Sequence, residues 1–210
     1  MSVTAISKDP VARIAERQTW ITAGAQDAVQ AAIGGSLERI GGTGLREALH
    51  GTWLHEPLHA AVTDVPVGSW TAAVAFDAVA AISGSEAMDV AADACVGVGL
   101  VGAVVAAITG MNDWAEVKEE APRRIGAVHA LLNVAATGFF VWSLVARRGS
   151  GGRANGGRAK GRALAALGYV VASASAHLGG NMVYEHGIGV EQRDPLFLQR
   201  DGGNADSLPG

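Results

Sequence analysis

Four apolar segments of membrane-spanning length follow one another in this chain. They lie at residues 62–82, 90–109, 125–145 and 163–183. An α-helix rises about 1.5 Å per residue, so about 20 apolar residues cross the roughly 30 Å hydrocarbon core of a bilayer. The sequence therefore predicts an all-α fold, an integral membrane four-helix bundle.

The composition agrees with a membrane location. Charged residues make up 17% of the chain, compared with about 25% in a typical soluble domain. Alanine and glycine are frequent in the segments, and small residues let membrane helices approach closely. The net charge of −4 offers no basic surface for nucleic acid. Cys95 is the single cysteine, which excludes an internal disulfide and a cysteine metal cluster. A soluble alanine-rich bundle remains the alternative.

The chain divides into three parts by composition. Residues 1–48 predict an amphipathic N-terminal helical segment that lies at the membrane interface or covers the mouth of the bundle. An ordinary surface helix is the alternative for this segment. Residues 49–190 form the predicted four-helix transmembrane domain, and residues 191–210 form a polar C-terminal tail.

Local signals predict where the N-terminal segment starts and breaks. Pro10 follows Asp9 and suits the first position of a helix. Glycines interrupt the helical pattern that follows. We expect the breaks at Gly24 and at the pair Gly34-Gly35.

Residues 147–162 determine the predicted orientation. This stretch carries six basic residues and no acidic residue, and its glycines predict a flexible loop. The positive-inside rule then places it in the cytoplasm, with both termini on the outer face of the membrane. The long tail ahead of the first span opposes this orientation, because such a tail crosses a membrane less readily.

All six histidines fall on one side of a four-span topology. His129 lies five residues beyond Arg124, and His177 lies near the end of the fourth span. Both are then about 7 to 8 Å below the same membrane face, so we predict that they act as a pair. The candidate cofactor or metal ligands are His59, His129, His177 and His186. Hydrogen bonding between helices is the alternative role for each histidine.

Polar residues at helical spacing accompany two of these histidines. The stripes His129, Asn133, Thr137 and Ser173, His177, Asn181 should face the bundle interior, because polar groups are costly in lipid. Residues that orient an imidazole commonly accompany a metal-binding histidine. The candidates for that role are Asp64, Asn133, Asn181, Asp113 and Glu185.

Two intramembrane carboxylates lie in the half of the bundle away from the histidines. Asp77 is in the second half of the first span and Asp93 is near the start of the second span. We expect them to face each other as a hydrogen-bonded structural pair or as part of a proton or ion route. Alternatively, Asp89 and Asp93 form a solvated helix end.

One protease-like motif is rejected. Residues 55–59 match H-E-x-x-H, in which zinc proteases place two histidines on one face of a helix. Pro57 makes a continuous helix there unfavourable. We expect Pro57 to begin the helical turn that carries His59, and Pro66 to kink or restart the chain.

Several stretches resemble an uncharacterised bacterial family of four-span membrane proteins, domain of unknown function 2231. They are LHGTWL at 49–54, PLH at 57–59, TDVPVGSW at 63–70, GMNDW at 110–114, Gly126 with His129 and Asn133, LGG at 178–180, Val183-Tyr184, and 187–190. Relatives usually read Gly-His-Pro-Leu-His-Pro at the first span. Whether His55 or Glu56 takes the place of the first family histidine stays open, and His59 matches the second.

The resemblance implies redox work, because some relatives are fused to a Rieske iron–sulfur domain. Together with the histidines it predicts a metal- or haem-binding electron-transfer subunit with a Rieske-type partner. The suspected cofactors are haem b or a copper or zinc ion. A structural or interaction membrane protein without a cofactor is the alternative, and a proton or ion pathway is the third. A homo-oligomer is left open.

Overall fold

The computed structural model describes residue 7, residues 9–148 and residues 156–188. These residues form α-helices and one short 3-10 turn at Thr52–Leu54, and no strand occurs among them. This confirms the all-α prediction. The helices are α1 Pro10–Glu16, α2 Ala23–His50, α3 Leu58–Ser83, α4 Glu86–Trp114, α5 Glu120–Arg148 and α6 Gly157–Tyr184.

Four of the helices, α3 to α6, are long and apolar enough to cross a membrane. Each has 26 to 29 residues, and each contains an apolar window of membrane-spanning length. Each of the four predicted spans lies within one of these helices. The chain is therefore a multi-pass membrane protein, and its environment is a lipid bilayer.

The four long helices pack as two hairpins. The most extensive contacts join α3 to α4 and α5 to α6, while α4 also contacts α5 and α3 contacts α6. The centre of the bundle is apolar. Trp70 of α3 stacks on Phe140 of α5, with ring centroids 4.1 Å apart and an angle of 11° between the rings.

Glycine and proline fit this close packing. A Cβ atom at Gly99 would collide with the Trp70 ring, and one at Gly102 would lie 2.9 Å from Cδ of Pro66. The glycines therefore let α3 and α4 approach closely. α3 is one continuous helix with Pro66 buried inside it, so the expected restart of the chain at Pro66 does not occur.

The N-terminal segment differs from its prediction in where it breaks. α1 ends at Glu16 and α2 begins at Ala23, and the glycines at 24, 34 and 35 lie inside α2. Each such glycine costs a helix only about 1 kcal/mol relative to alanine, so a helix as long as α2 can continue through it. The non-helical position is Gly42, with φ 62° and ψ −157°, a conformation that favours glycine.

Residues 149–155 of the predicted flexible loop at 147–162 lie outside the described part of the chain, and all but one of the described residues of this stretch are helical. α5 continues through Arg148, and α6 already begins at Gly157. Arg147, Arg158 and Arg162 are therefore helical residues rather than loop residues. The reason is that all three bind aspartates of the first hairpin, as described below.

Candidate functional site

The structure brings two histidines together at one end of the bundle. His59 lies in the first turn of α3, and His129 lies in the N-terminal third of α5. Their rings meet edge to face, with centroids 6.4 Å apart and an angle of 88° between the planes. We call these two residues the histidine pair.

His59 is oriented by the neighbouring helix of its own hairpin. Its Nδ1 lies 2.9 Å from the carbonyl oxygen of Ala106 and 3.3 Å from Oγ1 of Thr109. A carbonyl oxygen only accepts hydrogen bonds, so Nδ1 donates to Ala106 and carries the ring proton. The Nε2 atom of neutral His59 then has a lone pair that can bind a ligand.

His129 is held in the same way by the second hairpin. Its Nδ1 lies 2.8 Å from the carbonyl oxygen of Ser175 and donates to it. The Ser175 hydroxyl in turn donates to the His129 carbonyl oxygen at 2.9 Å. The amide of Asn133, one turn further along α5, donates to His129 Nε2 at 3.0 Å. Asn133 therefore contacts the imidazole at Nε2, and its predicted role of orienting a metal-binding His129 stays a prediction.

Two glycines make room for the two rings. A Cβ atom at Gly110 of α4 would lie 2.7 Å from the His59 ring, and one at Gly179 of α6 would lie 3.1 Å from the His129 ring. Each imidazole therefore packs directly against the backbone of the adjacent helix. This close approach fixes the ring positions and leaves little space around them.

His177 does not join the pair, so the predicted pairing of His129 with His177 is wrong. Ser175 is the residue of α6 that faces His129, and His177 is two residues later, about 200° further around the helix. The His177 side chain is 53% exposed, and its Nε2 lies 2.5 Å from Oδ2 of Asp9. Ser173 is exposed as well, so the predicted stripe does not face inward.

The remaining histidines occupy separate places. His50 binds Asp113 at 2.7 Å and lies 3.2 Å from Glu116. His55 is exposed in a left-handed turn with φ 58°, and His186 is partly buried just beyond α6. The structure therefore brings His59 and His129 into ring contact and does not gather the other four histidines around them.

Other predicted orienting residues serve different neighbours. Asp64 is exposed. The Asn181 amide donates to Oγ of Ser7 at 3.4 Å rather than to a histidine, and Glu185 accepts from the Ser7 hydroxyl at 2.5 Å. Within the described parts of the chain, no three histidine, cysteine or acidic side chains are grouped as a metal site.

Two polar contacts near the N-terminus attach α1 to the end of α6. They are Ser7 with Glu185 and Asp9 with His177. The hydrogen bond from Ser7 lowers the pKa of Glu185 below its ordinary value. Burial favours a higher pKa of Asp9, but hydrogen bonds from the Ala12 and Val11 amides, together with His177, lower it overall. α1 therefore lies over α5 and α6 at the histidine end of the molecule.

The opposite end of the bundle contains a buried acid–base network. Arg147 of α5 has a fully buried side chain. Its guanidinium binds both carboxylate oxygens of Asp77, with Nη1 to Oδ1 at 2.8 Å, and Nη1 also lies 3.1 Å from Asp93 Oδ1. Its Nε donates to the Ser143 hydroxyl at 2.9 Å. These ion pairs and hydrogen bonds offset the high free-energy cost of placing the Arg147 charge inside a membrane.

Two further arginines extend the network. Arg158 Nη1 lies 2.5 Å from Asp93 Oδ1, and Arg162 Nη2 lies 2.8 Å from Asp89 Oδ1. Asp89 is buried, so the alternative of a solvated helix end is wrong. Asp77 and Asp93 do meet, but through Arg147. Sequence reasoning missed the arginines because it assigned them to a loop.

An apolar layer separates the two polar ends. Trp70 and Phe140 lie on α3 and α5 between the histidine pair and the acid–base network. Val96 and Ala165 are fully buried against them. This layer of packed side chains argues against a continuous proton or ion route along the centre of the bundle.

The fold and these sites define a multi-pass helical membrane protein with a histidine pair at one end and a buried ion-pair network at the other. Residues 55–192 match the family model described as "Predicted membrane protein (DUF2231)". The chain belongs to this family. No curated protein and no solved structure matches the chain.

Proposed function

We propose that this protein is a membrane redox subunit whose histidine pair binds one transition-metal ion. The observation that carries the proposal is the shared orientation of the two imidazoles. Each Nδ1 donates to a backbone carbonyl, of Ala106 or of Ser175. Histidines that bind metals almost always place their other ring nitrogen in such a hydrogen bond, which fixes the tautomer and the direction of the ligand atom.

The packing around the rings favours a compact ion over haem. Haem iron between two histidines needs a slot as wide as a porphyrin. Here the backbones at Gly110 and Gly179 lie directly against the two imidazoles. Imidazole nitrogen suits copper, zinc and iron ions, and zinc has no redox chemistry in proteins. Copper and iron both fit a redox role, and we propose copper because a given nitrogen site binds divalent copper more tightly than divalent iron.

The chain's own residues would hold and tune such an ion. Nε2 of His59 and Nε2 of His129 are the ligand atoms, and an ion at His129 would displace the Asn133 amide that now donates to that nitrogen. When bound, copper would supply one-electron transfer to or from a partner such as a Rieske-type iron–sulfur protein. Two protein ligands leave coordination positions for water or for a group from that partner.

Elemental analysis and absorption spectroscopy of protein purified gently in detergent test the proposal. We expect about one copper per chain and no Soret band. The matched control is His177→Ala, since His177 is exposed and bound to Asp9, and this variant should keep its metal. Zinc in place of copper would support the metal site and contradict the redox role. A Soret band would show that the protein binds haem and would contradict the proposal of a single ion.

A structural role for the same two histidines is the second candidate. The hydrogen bonds of His59 and His129 each join the two helices of one hairpin, and they are complete without an ion. A wild-type protein with no stoichiometric metal by elemental analysis would favour this role over the first.

The arrangement of the chain in the bacterial cell membrane is part of the proposal. We propose that the end with the acid–base network faces the cytoplasm and that the histidine pair and both termini face outward. Arg148 and Lys160 support this orientation, because both are exposed at that end and basic residues are retained inside. We also propose that the chain divides into an N-terminal helical segment, a four-helix transmembrane domain and a polar tail. These are residues 1–48, 49–190 and 191–210, and residues 191–210 lie outside the described part of the chain.

A further inference from the structure

We infer that residues 58–184 are two tandem copies of one helix hairpin, α3–α4 and α5–α6, and that the acid–base network is the surface by which the first copy selects the second. The inference does not depend on metal binding. It rests on equivalent positions in the two hairpins, on the contacts made at those positions, and on the charges they carry.

Three contacts lie between equivalent positions of α3 and α5, 70 residues apart. They are the ring pair His59–His129, the stacked pair Trp70–Phe140 and the ion pair Asp77–Arg147. Around a two-fold axis, only residues at the axis contact their own equivalents. Three such pairs at successive depths therefore define one pseudo-two-fold axis along the bundle. The axis runs across the membrane, as between parallel repeats in transporters.

The second helices of the two hairpins, α4 and α6, correspond at a spacing of 69 residues. Gly99 and Gly168 receive the rings of Trp70 and Phe140, and Gly110 and Gly179 receive those of the histidine pair. Between 89–112 and 158–181, seven positions are identical: Ala94/Ala163, Gly99/Gly168, Val101/Val170, Ala103/Ala172, Ala107/Ala176, Gly110/Gly179 and Asn112/Asn181.

Hydrogen bonds repeat at the same spacing. The carbonyls that accept from the two histidines belong to Ala106 and Ser175, which are equivalent positions. The two equivalent asparagines both donate to the N-terminal part of the chain. Asn112 donates to the Arg46 carbonyl at 3.3 Å, and Asn181 donates to the Ser7 hydroxyl at 3.4 Å. Shared composition alone does not produce this correspondence of partners.

The charged positions correspond with opposite sign. Each aspartate of the network in the first hairpin has an arginine at the equivalent position of the second, in the pairs Asp77/Arg147, Asp89/Arg158 and Asp93/Arg162. If two identical first hairpins paired about this axis, Asp77 would face a second Asp77. Burying like charges together is strongly unfavourable, so the first hairpin rejects a second copy of itself. It accepts the arginine-bearing hairpin instead.

A charge exchange across the axis tests this inference in the full-length chain. In the first-half exchange the three aspartates become arginine, and in the second-half exchange the three arginines become aspartate. The complete exchange combines all six changes: Asp77→Arg, Asp89→Arg, Asp93→Arg, Arg147→Asp, Arg158→Asp and Arg162→Asp. The two half exchanges should aggregate or melt far below wild type in detergent. If the two hairpins are equivalent, the complete exchange should restore a monodisperse protein. It should also recover more than half of the decrease in melting temperature that the half exchanges cause.

A smaller exchange provides a matched comparison. Asp77 contacts both Arg147 at the axis and Arg162 at 3.8 Å, but only Arg147 is its equivalent. The double variant Asp77→Arg with Arg147→Asp should melt higher than Asp77→Arg with Arg162→Asp. The inference is overturned if the complete exchange is no more stable than the half exchanges, or if the non-equivalent double variant is rescued as well as the equivalent one.

Discussion

At the scale of single residues, glycine determines where the buried rings lie. Gly110 and Gly179 have no side chain, and the imidazoles of the histidine pair occupy the space where a Cβ atom would be. Gly180 is next to Gly179 in the chain, but a Cβ atom there would meet nothing within 4 Å. Position relative to the rings, rather than helix propensity, therefore decides which glycine is required.

Alanine substitution at these positions should separate the two kinds of glycine. Gly110→Ala places a methyl group 2.7 Å from the His59 ring and should destabilise the protein by about 1–3 kcal/mol, because overpacking displaces a well-packed neighbour. Gly179→Ala, with its 3.1 Å contact, should cost less. Thermal unfolding in detergent measures both. Gly180→Ala is the control and should be neutral or slightly stabilising; equal losses at all three glycines would refute the packing argument.

At the scale of elements, α1 is a short helix attached by two buried alanines and a polar contact at its N-cap. Ala12 and Ala15 are buried against Ile125 and Leu178, and the pair Asp9–His177 adds a polar contact. A seven-residue helix is not stable by itself in water. Its position over α5 and α6 therefore depends on these contacts.

The attachment of α1 should weaken in acid. The pKa values of Asp9 and Glu185 are lowered, so both carboxylates stabilise the attached state above their ordinary pKa, and this contribution is lost as the pH falls through the lowered values. The protection factors of α1 amides, which correct the exchange rate for its intrinsic pH dependence, should fall between neutral and acidic pH, while amides in the centre of α4 remain protected. Asp9→Asn should remove most of the change. Protection factors in α1 that do not change with pH would contradict this account.

The sequence predicted the long helices well because their apolar length is a local property. Partners between helices depend on rotation about each helix axis, which span length does not specify. Sequence reasoning therefore chose His177, whereas Ser175 is the residue that faces His129. The 70-residue spacing of His59 and His129 in the sequence was the signal that would have revealed the true pair.

The pattern of charges in the sequence did not reveal the acid–base network, for a related reason. A basic segment next to a span usually predicts a solvated loop. That pattern therefore assigns Arg147, Arg158 and Arg162 to a loop. Their partners Asp77, Asp89 and Asp93 are distant in sequence, so no local pattern connects them. Only the repeat relates each arginine to the position of an aspartate.

At the scale of the whole molecule, the bundle has two chemically different ends. The end with the N-terminal helices contains the histidine pair, and the other contains the acid–base network, with the Trp70–Phe140 layer between them. A redox partner of the proposed site would therefore approach the histidine end. The orientation of the chain decides which compartment that partner occupies.

Cysteine labelling should reveal the orientation. In a Cys95→Ala background, Ser150→Cys reports on the segment between α5 and α6, and Thr19→Cys reports on the histidine end. We expect an impermeant maleimide to label Thr19→Cys in intact cells and to leave Ser150→Cys unlabelled until the cells are lysed, because basic segments are retained in the cytoplasm. The reverse pattern would invert the proposed orientation. Labelling of both positions in intact cells would contradict a cytoplasmic 147–162 segment.

Copper binding by single and double histidine variants tests the central claim most directly. Wild-type protein stripped of metal, His59→Ala, His129→Ala and the double variant are titrated with Cu(I) in detergent, with His177→Ala as the control. Because two groups that share one ligand are not additive, we predict one site in wild type and in the control, loss of more than tenfold in affinity in each single variant, and little further loss in the double variant. Unchanged binding in either single variant, or equal loss in His177→Ala, would contradict the claim.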